Sequence, residues 1–246
     1  MAALLEAINV TKTFGGLRAN DDISLVVDEG EIVGLIGPNG AGKTTLFNCV
    51  TRYLAPDSGT IKFQGQEITH LSPDRICHRG MVRTFQIMRA FNDMTVLENV
   101  MVGALCRVAS TRQAQREAMK ALEFTGLLEK RDALASDLTV PDKKRLEVTR
   151  ALATKPSLLL LDEAMAGLTP TEAVDAVKLV RAIRDLGITV FLVEHVMEVI
   201  MPISDRVVVL NYGRKIAEGP PTEITENEEV IEAYLGDKWR GALCSK

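Results

Sequence analysis

Aromatic residues make up only 4% of the 246 in this chain, so its core must be mostly aliphatic. No long hydrophobic run is present. The longest candidates, residues 158–161 and 188–193, are strand-sized, well short of the ~18 residues that read as a membrane-spanning helix. Residues 1–6 lack the basic and long apolar regions of a secretory signal. The four cysteines, Cys49, Cys77, Cys106 and Cys244, form no C-x-x-C pair. That spacing suits a reducing cytosol and small buried side chains better than a disulfide framework or a zinc site. Positive charge is not in excess: the formal net charge is −4, which argues against non-specific nucleic-acid binding. Internal repeats and low-complexity segments are absent. What remains, 46% hydrophobic and 25% charged, is the composition of an ordinary globular protein with one large domain or two modest ones.

Apolar and β-branched runs at 5–10, 23–27, 31–36, 60–63 and 81–85 read as strands, separated by turn signals such as Asp28-Glu29-Gly30 and Pro56-Asp57-Ser58-Gly59. Ser72 and Pro73 mark a helix start. Residues 95–152 change character. Val96, Val100, Gly103 and Ala104, then Ala114, Ala118, Ala121 and Leu122, recur at helical spacing, and no convincing strand interrupts them. Strand and helix then alternate: strand 158–161, helix 170–186, strand 189–193, helix 196–203. In the helix at 170–186, Val174, Val177, Val180 and Ile183 mark the expected core face. Residues 206–210 and 215–218 suggest a closing hairpin through Asn211-Tyr212-Gly213. Such alternation predicts a mainly parallel sheet covered on both faces, with a helical insertion.

Residues 37–45 read Gly37-Pro38-Asn39-Gly40-Ala41-Gly42-Lys43-Thr44-Thr45 and fit G-x-x-x-x-G-K-[ST]. A strand-like run precedes them and a helix-compatible run, 45–53, follows. The three glycines let several backbone N–H groups point at one anion, and the next helix offers its positive end to the same phosphates. Lys43 reaches the β- and γ-phosphates, and the Thr44 hydroxyl suits Mg²⁺. Downstream, an apolar strand ends in Asp162 and Glu163. Ligands of parallel α/β folds bind at that sheet edge. Asp162 is placed to hold the Mg²⁺ shell, and Glu163 to orient or deprotonate an attacking water. His195, after the strand at 189–193, falls where a third γ-phosphate contact would serve. Gln86, after the strand at 81–85, is a candidate for sensing Mg²⁺ and water. Phe14, in a Gly-rich turn, offers a ring for adenine. The guanine-reading Asn-Lys-x-Asp is absent, which argues against a GTPase.

Taken together, these residues resemble an ABC-transporter ATPase subunit over nearly the whole chain. The nearer likeness is to the ATPases of branched-chain amino-acid importers. It rests on residues 86–91, 94–100, 166–172 and 232–236: Gln-Ile-Met-Arg-Ala-Phe, Met-Thr-Val-Leu-Glu-Asn-Val, Ala-Gly-Leu-Thr-Pro-Thr-Glu and Glu-Ala-Tyr-Leu-Gly. The resemblance implies an α/β P-loop NTPase of ABC type, with N-terminal antiparallel strands. Its nucleotide-binding core would span 1–94 and 153–235, its helical subdomain 95–152, and its tail 236–246. It further implies ATP and Mg²⁺ as cofactors and a second ATPase subunit as partner, each ATP lying between one subunit's phosphate loop and the other's signature segment. Two membrane permeases would dock near residues 87–107, placing the protein peripherally on the cytoplasmic face. The expected activity is ATP hydrolysis that powers a membrane importer. The alternatives are the ATPase of another ABC system or a regulatory nucleotide-binding subunit with weak hydrolysis.

One segment departs from the family. Where it usually has Leu-Ser-Gly-Gly-Gln, this chain has Leu138-Thr139-Val140-Pro141-Asp142. Thr139 keeps a hydroxyl that can cap the next helix. Pro141 has no N–H to give a γ-phosphate, and Asp142 suits the start of a helix yet is expected to set negative charge near that anion. A lost charge-assisted hydrogen bond is worth roughly 1.5–3 kcal/mol, or about one to two powers of ten in closure over ATP. The expectation is a heterodimer, favoured over a homodimer, in which this chain's altered segment slows only the partner's site. Thr169, where many members carry Asp, is a second departure.

Overall fold

The computed structural model describes residues 2–85, 90–165 and 167–235. Two compact units divide the chain: Met1–Leu71 with Phe191–Lys246, and Ser72–Val190.

In the first unit, β1 (Ala3–Phe14) and β2 (Leu17–Asp28) form a long antiparallel hairpin. The other edge of β1 pairs with β4 (Ser58–Phe63), which carries the short β5 (Gln66–Glu67). Both hairpin strands run well past the apolar runs at 5–10 and 23–27. Those runs trace only the buried face, Leu5, Ala7, Val10, Ile23, Leu25 and Val27, whereas Lys12, Thr13 and Arg18 continue the pairing with polar side chains. The fully buried β3 (Ile32–Ile36) pairs in parallel with β9 (Arg206–Asn211). The chain then turns at Tyr212 and Gly213, both at positive φ, into the antiparallel β10 (Arg214–Gly219), the expected hairpin. Helix α1 (Lys43–Val50) buries Leu46, Phe47 and Cys49, and the Phe47 ring meets Phe191 at 4.8 Å between centroids. Helices α7 (Met197–Ile203), α8 (Pro221–Glu226) and α9 (Glu228–Leu235) complete this unit. Strand β8 (Thr189–Val193) begins in the second unit's residues and ends in the first's.

In the second unit, α2 (Pro73–Arg79) leads into β6 (Met81–Arg83), which pairs in parallel with β7 (Leu158–Asp162). The strand expected over 81–85 ends at Arg83, although Thr84 N–H still donates to the Leu160 carbonyl. Helices α3 (Val96–Ala104), α4 (Thr111–Thr125) and α5 (Val140–Ala153) form the helical stretch. Their apolar stripes close on one cluster that includes Val96, Val100, Ala104, Ala118 and Leu122. A Cβ at Gly103 would lie 2.3 Å from the Arg150 carbonyl oxygen, so α3 and α5 touch backbone to backbone there. Thr95 and Glu98 close a capping box at the start of α3. Helix α6 (Pro170–Asp185) corrects one expectation. Val180 and Ile183 are buried as the periodicity predicts, but Val174 is 53% exposed. Only the C-terminal half of α6 is packed, so a regular apolar stripe continues past the packing it would serve.

Candidate nucleotide-binding site

The phosphate-loop sequence forms the turn between β3 and α1, wholly inside the first unit. Gly37, Gly40 and Gly42 all have positive φ, at 156°, 82° and 99°. At Gly42 a Cβ would sit 2.2 Å from the Ala19 carbonyl oxygen, so glycine is required by space as well as by conformation. The Asn20 amide fixes this point by donating to the Gly42 carbonyl at 3.0 Å. Gly42 is also the N-cap of α1, with no side-chain cap and no acidic residue in the first turn. No side chain of the helix start competes there with an anion, which the positive end of a helix favours. Lys43 is 7% exposed, and its ammonium donates to the Gly37 carbonyl at 2.6 Å and the Pro38 carbonyl at 3.0 Å. The loop thus curls around its own cation. Thr44 is exposed at the start of α1.

Phe14 and His195 also belong to this unit. The Phe14 ring is 47% exposed, with the Lys12 ammonium 5.6 Å from its centroid, so it is not a packed core ring. His195 is exposed in the link between β8 and α7. Gln86 lies outside the described residues.

Asp162 and Glu163 belong to the second unit. Asp162 ends β7 with 2% of its side chain exposed. The Arg83 guanidinium donates to its Oδ2 at 2.6 Å, and the Asp162 N–H donates to Thr84 Oγ1 at 3.3 Å. A buried carboxylate without a countercharge costs several kcal/mol, and Arg83 is the group that offsets this. Oδ1 of Asp162 is buried and has no hydrogen-bond partner. An orphaned, buried carboxylate oxygen fits a hydrated divalent cation. Glu163 is half-buried at φ 48°, a left-handed backbone rare for glutamate. Such strain costs on the order of 1–3 kcal/mol and clusters at functional sites. The Glu163 carbonyl accepts from Lys144 of α5 at 3.5 Å.

Residues 20–166 match the family model described as ABC transporter. The chain belongs to the ABC transporter family. A second model, the branched-chain amino acid ATP-binding cassette transporter, matches residues 214–239. The chain is 41% identical over 250 residues to BraF of Pseudomonas aeruginosa, a high-affinity branched-chain amino acid transport ATP-binding protein, covering 95% of this chain and 98% of that one. It is 42% identical over 250 residues to LivG of Escherichia coli K12, which has the same description, with the same coverage. A crystal structure of the ADP conformation of an ATP-binding cassette superposes with a TM-score of 0.88 at 33% identity, covering 96% of this chain and all of that one.

The segment that departs from the ABC pattern forms the N-terminus of α5. Thr139 is the N-cap; its Oγ1 accepts from the Asp142 N–H at 3.4 Å and donates to Asp142 Oδ2 at 2.7 Å. Lys130 also donates to Asp142 Oδ2. Burial alone would raise the Asp142 carboxyl, but hydrogen bonds from Lys130 and Thr139 hold it below the usual carboxylate range. Asp142 therefore lies in the first turn of α5, with its negative charge paired to the Lys130 ammonium. Pro141 lines a cavity of about 420 Å³ together with Arg145, Leu161, Met165, Leu168 and Leu179. Thr169 has a local role as well, closing a capping box with Glu172 at the start of α6.

Two residues of this site escape a reading of the sequence. Arg83 had one usable signal, a cation ending an apolar strand whose neighbour ends in a carboxylate. Lys130 had none, because it sits in a short 3-10 turn, Leu128–Lys130, outside any motif.

Proposed function

We propose that this chain is the ATP-hydrolysing subunit that powers a membrane importer for branched-chain amino acids or a related solute. The observation that carries the reading is the capless α1 terminus wrapped by a glycine loop around the Lys43 ammonium. The match of residues 214–239 to the branched-chain model and the names of the two relatives support the solute class.

In this reading the loop's N–H groups and Lys43 grip the triphosphate, and the Phe14 ring stacks on adenine. Thr44, Asp162 and Gln86 would hold Mg²⁺, which when bound neutralises charge on the β- and γ-oxygens. Glu163 takes the proton of the attacking water or orients it, and His195 contacts the γ-phosphate. Among the described residues, no helix is long and apolar enough to cross a membrane. The protein sits peripherally on the cytoplasmic face, with permeases docked near residues 87–107.

The partner is a different ATPase subunit. At the start of α5 the Thr139 hydroxyl and the Asp142 N–H are spent on each other, and Pro141 has no N–H. That terminus is poorly equipped to bind the γ-phosphate of a partner's ATP. An unaltered partner segment would still complete the site at Lys43. The test is reconstitution with the cognate permeases, second ATPase and solute-binding protein in liposomes. ATP-dependent uptake of leucine, isoleucine or valine is the expected result. Uptake of an unrelated solute alone would reject the solute class, and export would reject the importer.

A further inference from the structure

The cavity beside Pro141 is built wholly from the second unit, between residues 123 and 183. Its volume of about 420 Å³ falls within the ~300–1,000 Å³ typical of small-molecule sites. Helix α6 lines it from Glu172 to Ile183, the start of α5 and the end of α4 close other sides, and β7 contributes Leu161. Its apolar lining includes Leu161, Met165, Leu179 and Ile183, and all of these but Leu179 are buried. Such a surface takes a short aliphatic group out of water.

Most charges on the lining are already engaged. The Glu172 carboxylate accepts from the Thr169 N–H and hydroxyl, Asp175 pairs with Lys178 at 3.2 Å, and Lys144 donates to the Glu163 carbonyl. Two charges of opposite sign are left over. Among the described residues, neither the Arg145 guanidinium nor the Glu123 carboxylate makes a hydrogen bond or an ion pair. The carboxylates that the Arg145 field reaches, Asp142 and Glu172, are bonded instead to Lys130 and Thr139 and to Thr169. Arg145 is half-buried and lies over the end of α4, where a Cβ on Gly126 would come within 3.9 Å of its Nη1. Glu123 is exposed at the same helix end.

We propose that this cavity binds a small apolar α-amino acid, its carboxylate on Arg145, its ammonium at Glu123 and its aliphatic side chain among Leu161, Met165, Leu179 and Ile183. A guanidinium fork matches a carboxylate through two parallel hydrogen bonds. A ligand carrying adjacent opposite charges satisfies both leftover groups at once. Other classes fit less well. A wholly apolar ligand would leave the guanidinium cut off from water without a partner. A polyphosphate would meet the carboxylates of Glu123, Glu172 and Asp175. Among the described residues, no group of three or more His, Cys, Asp or Glu side chains could hold a metal ion. The phosphate loop belongs to the first unit, so this is a second site, and its ligand class follows from the leftover charges independently of the transported solute.

The test is an NMR titration of L-leucine into the full chain, with and without saturating MgADP. Saturable binding is expected with a Kd on the order of 1 mM, as for one buried aliphatic side chain plus one charge-assisted pair, and MgADP should not displace it. Leucinamide, which lacks the carboxylate, and glycine, which lacks the side chain, should each bind at least ~10-fold more weakly. Isocaproate, which lacks only the ammonium, should lose less, because Glu123 is exposed. Arg145→Met should weaken leucine by at least ~10-fold, as loss of the carboxylate does. The ligand series on the wild type stands alone if the variant fails to fold. No saturation by ~10 mM leucine, equal affinity for leucinamide or glycine, or displacement of leucine by MgADP would overturn the proposal.

Discussion

Glu163→Gln should lower ATP turnover by at least ~10²-fold, the range typical of removing a general base, while leaving MgATP affinity nearly unchanged. The two effects separate because of what each group touches. The grip on phosphate belongs to the loop between β3 and α1 and to Lys43, in which Glu163 has no part. Glutamine keeps the size and shape of glutamate, so the left-handed turn at φ 48° after the buried strand β7 keeps its packing. What is lost is the carboxylate that accepts a proton from water. Phosphate release and equilibrium nucleotide titration on the same preparation measure both quantities. Unaltered turnover would remove Glu163 from the chemistry, and a parallel loss of affinity would show that it serves binding instead.

The second large effect concerns the start of α5. Changing Val140 and Pro141 to Gly and Asp142 to Gln should raise turnover at the partner's site by about 10- to 100-fold. That figure is the equivalent of one recovered charge-assisted hydrogen bond. The structure gives the cause a definite form. Thr139 Oγ1 and the Asp142 N–H satisfy each other, Lys130 holds the carboxylate, and Pro141 offers no donor. Removing the carboxylate frees the hydroxyl, Pro141→Gly adds one N–H, and Val140→Gly strips the side chain from beside an N–H already present. The cost is about 1 kcal/mol of helix stability per glycine, small beside the packing of α5 through Leu146 and Ala153. The measurement is ATPase activity of the heterodimer with Lys43→Ala in this chain, so that the remaining turnover is the partner's. No change on restoring the donors would reject the asymmetric reading.

Much of this was legible because the chemistry requires contiguous residues. A phosphate cradle needs glycines, a lysine and a hydroxyl within one turn, and a buried strand that delivers carboxylates shows as four leucines before Asp162. The helical stretch was legible for a similar reason: small and aliphatic residues at 3.6-residue spacing build one local cluster. What escaped depends on distance along the chain. Arg83 meets Asp162 across 79 residues, and Lys130 meets Asp142 across 12 with no shared element. Val174 continues a stripe that packing abandons, since periodicity reports what could be buried and tertiary contact decides what is. The hairpin of β1 and β2 outran its apolar runs because strand pairing is a backbone property, and polar side chains extend it freely once it has begun.

The most direct test of the account is a calorimetric titration of MgATP into the purified chain and into its Lys43→Ala variant. The account predicts saturable binding to the wild type and a loss of ~10-fold or more in the variant, as expected for a removed charge-assisted contact. No uptake of MgATP by the wild-type chain, even with its cognate subunits present, or equal affinity in the two proteins, would contradict it.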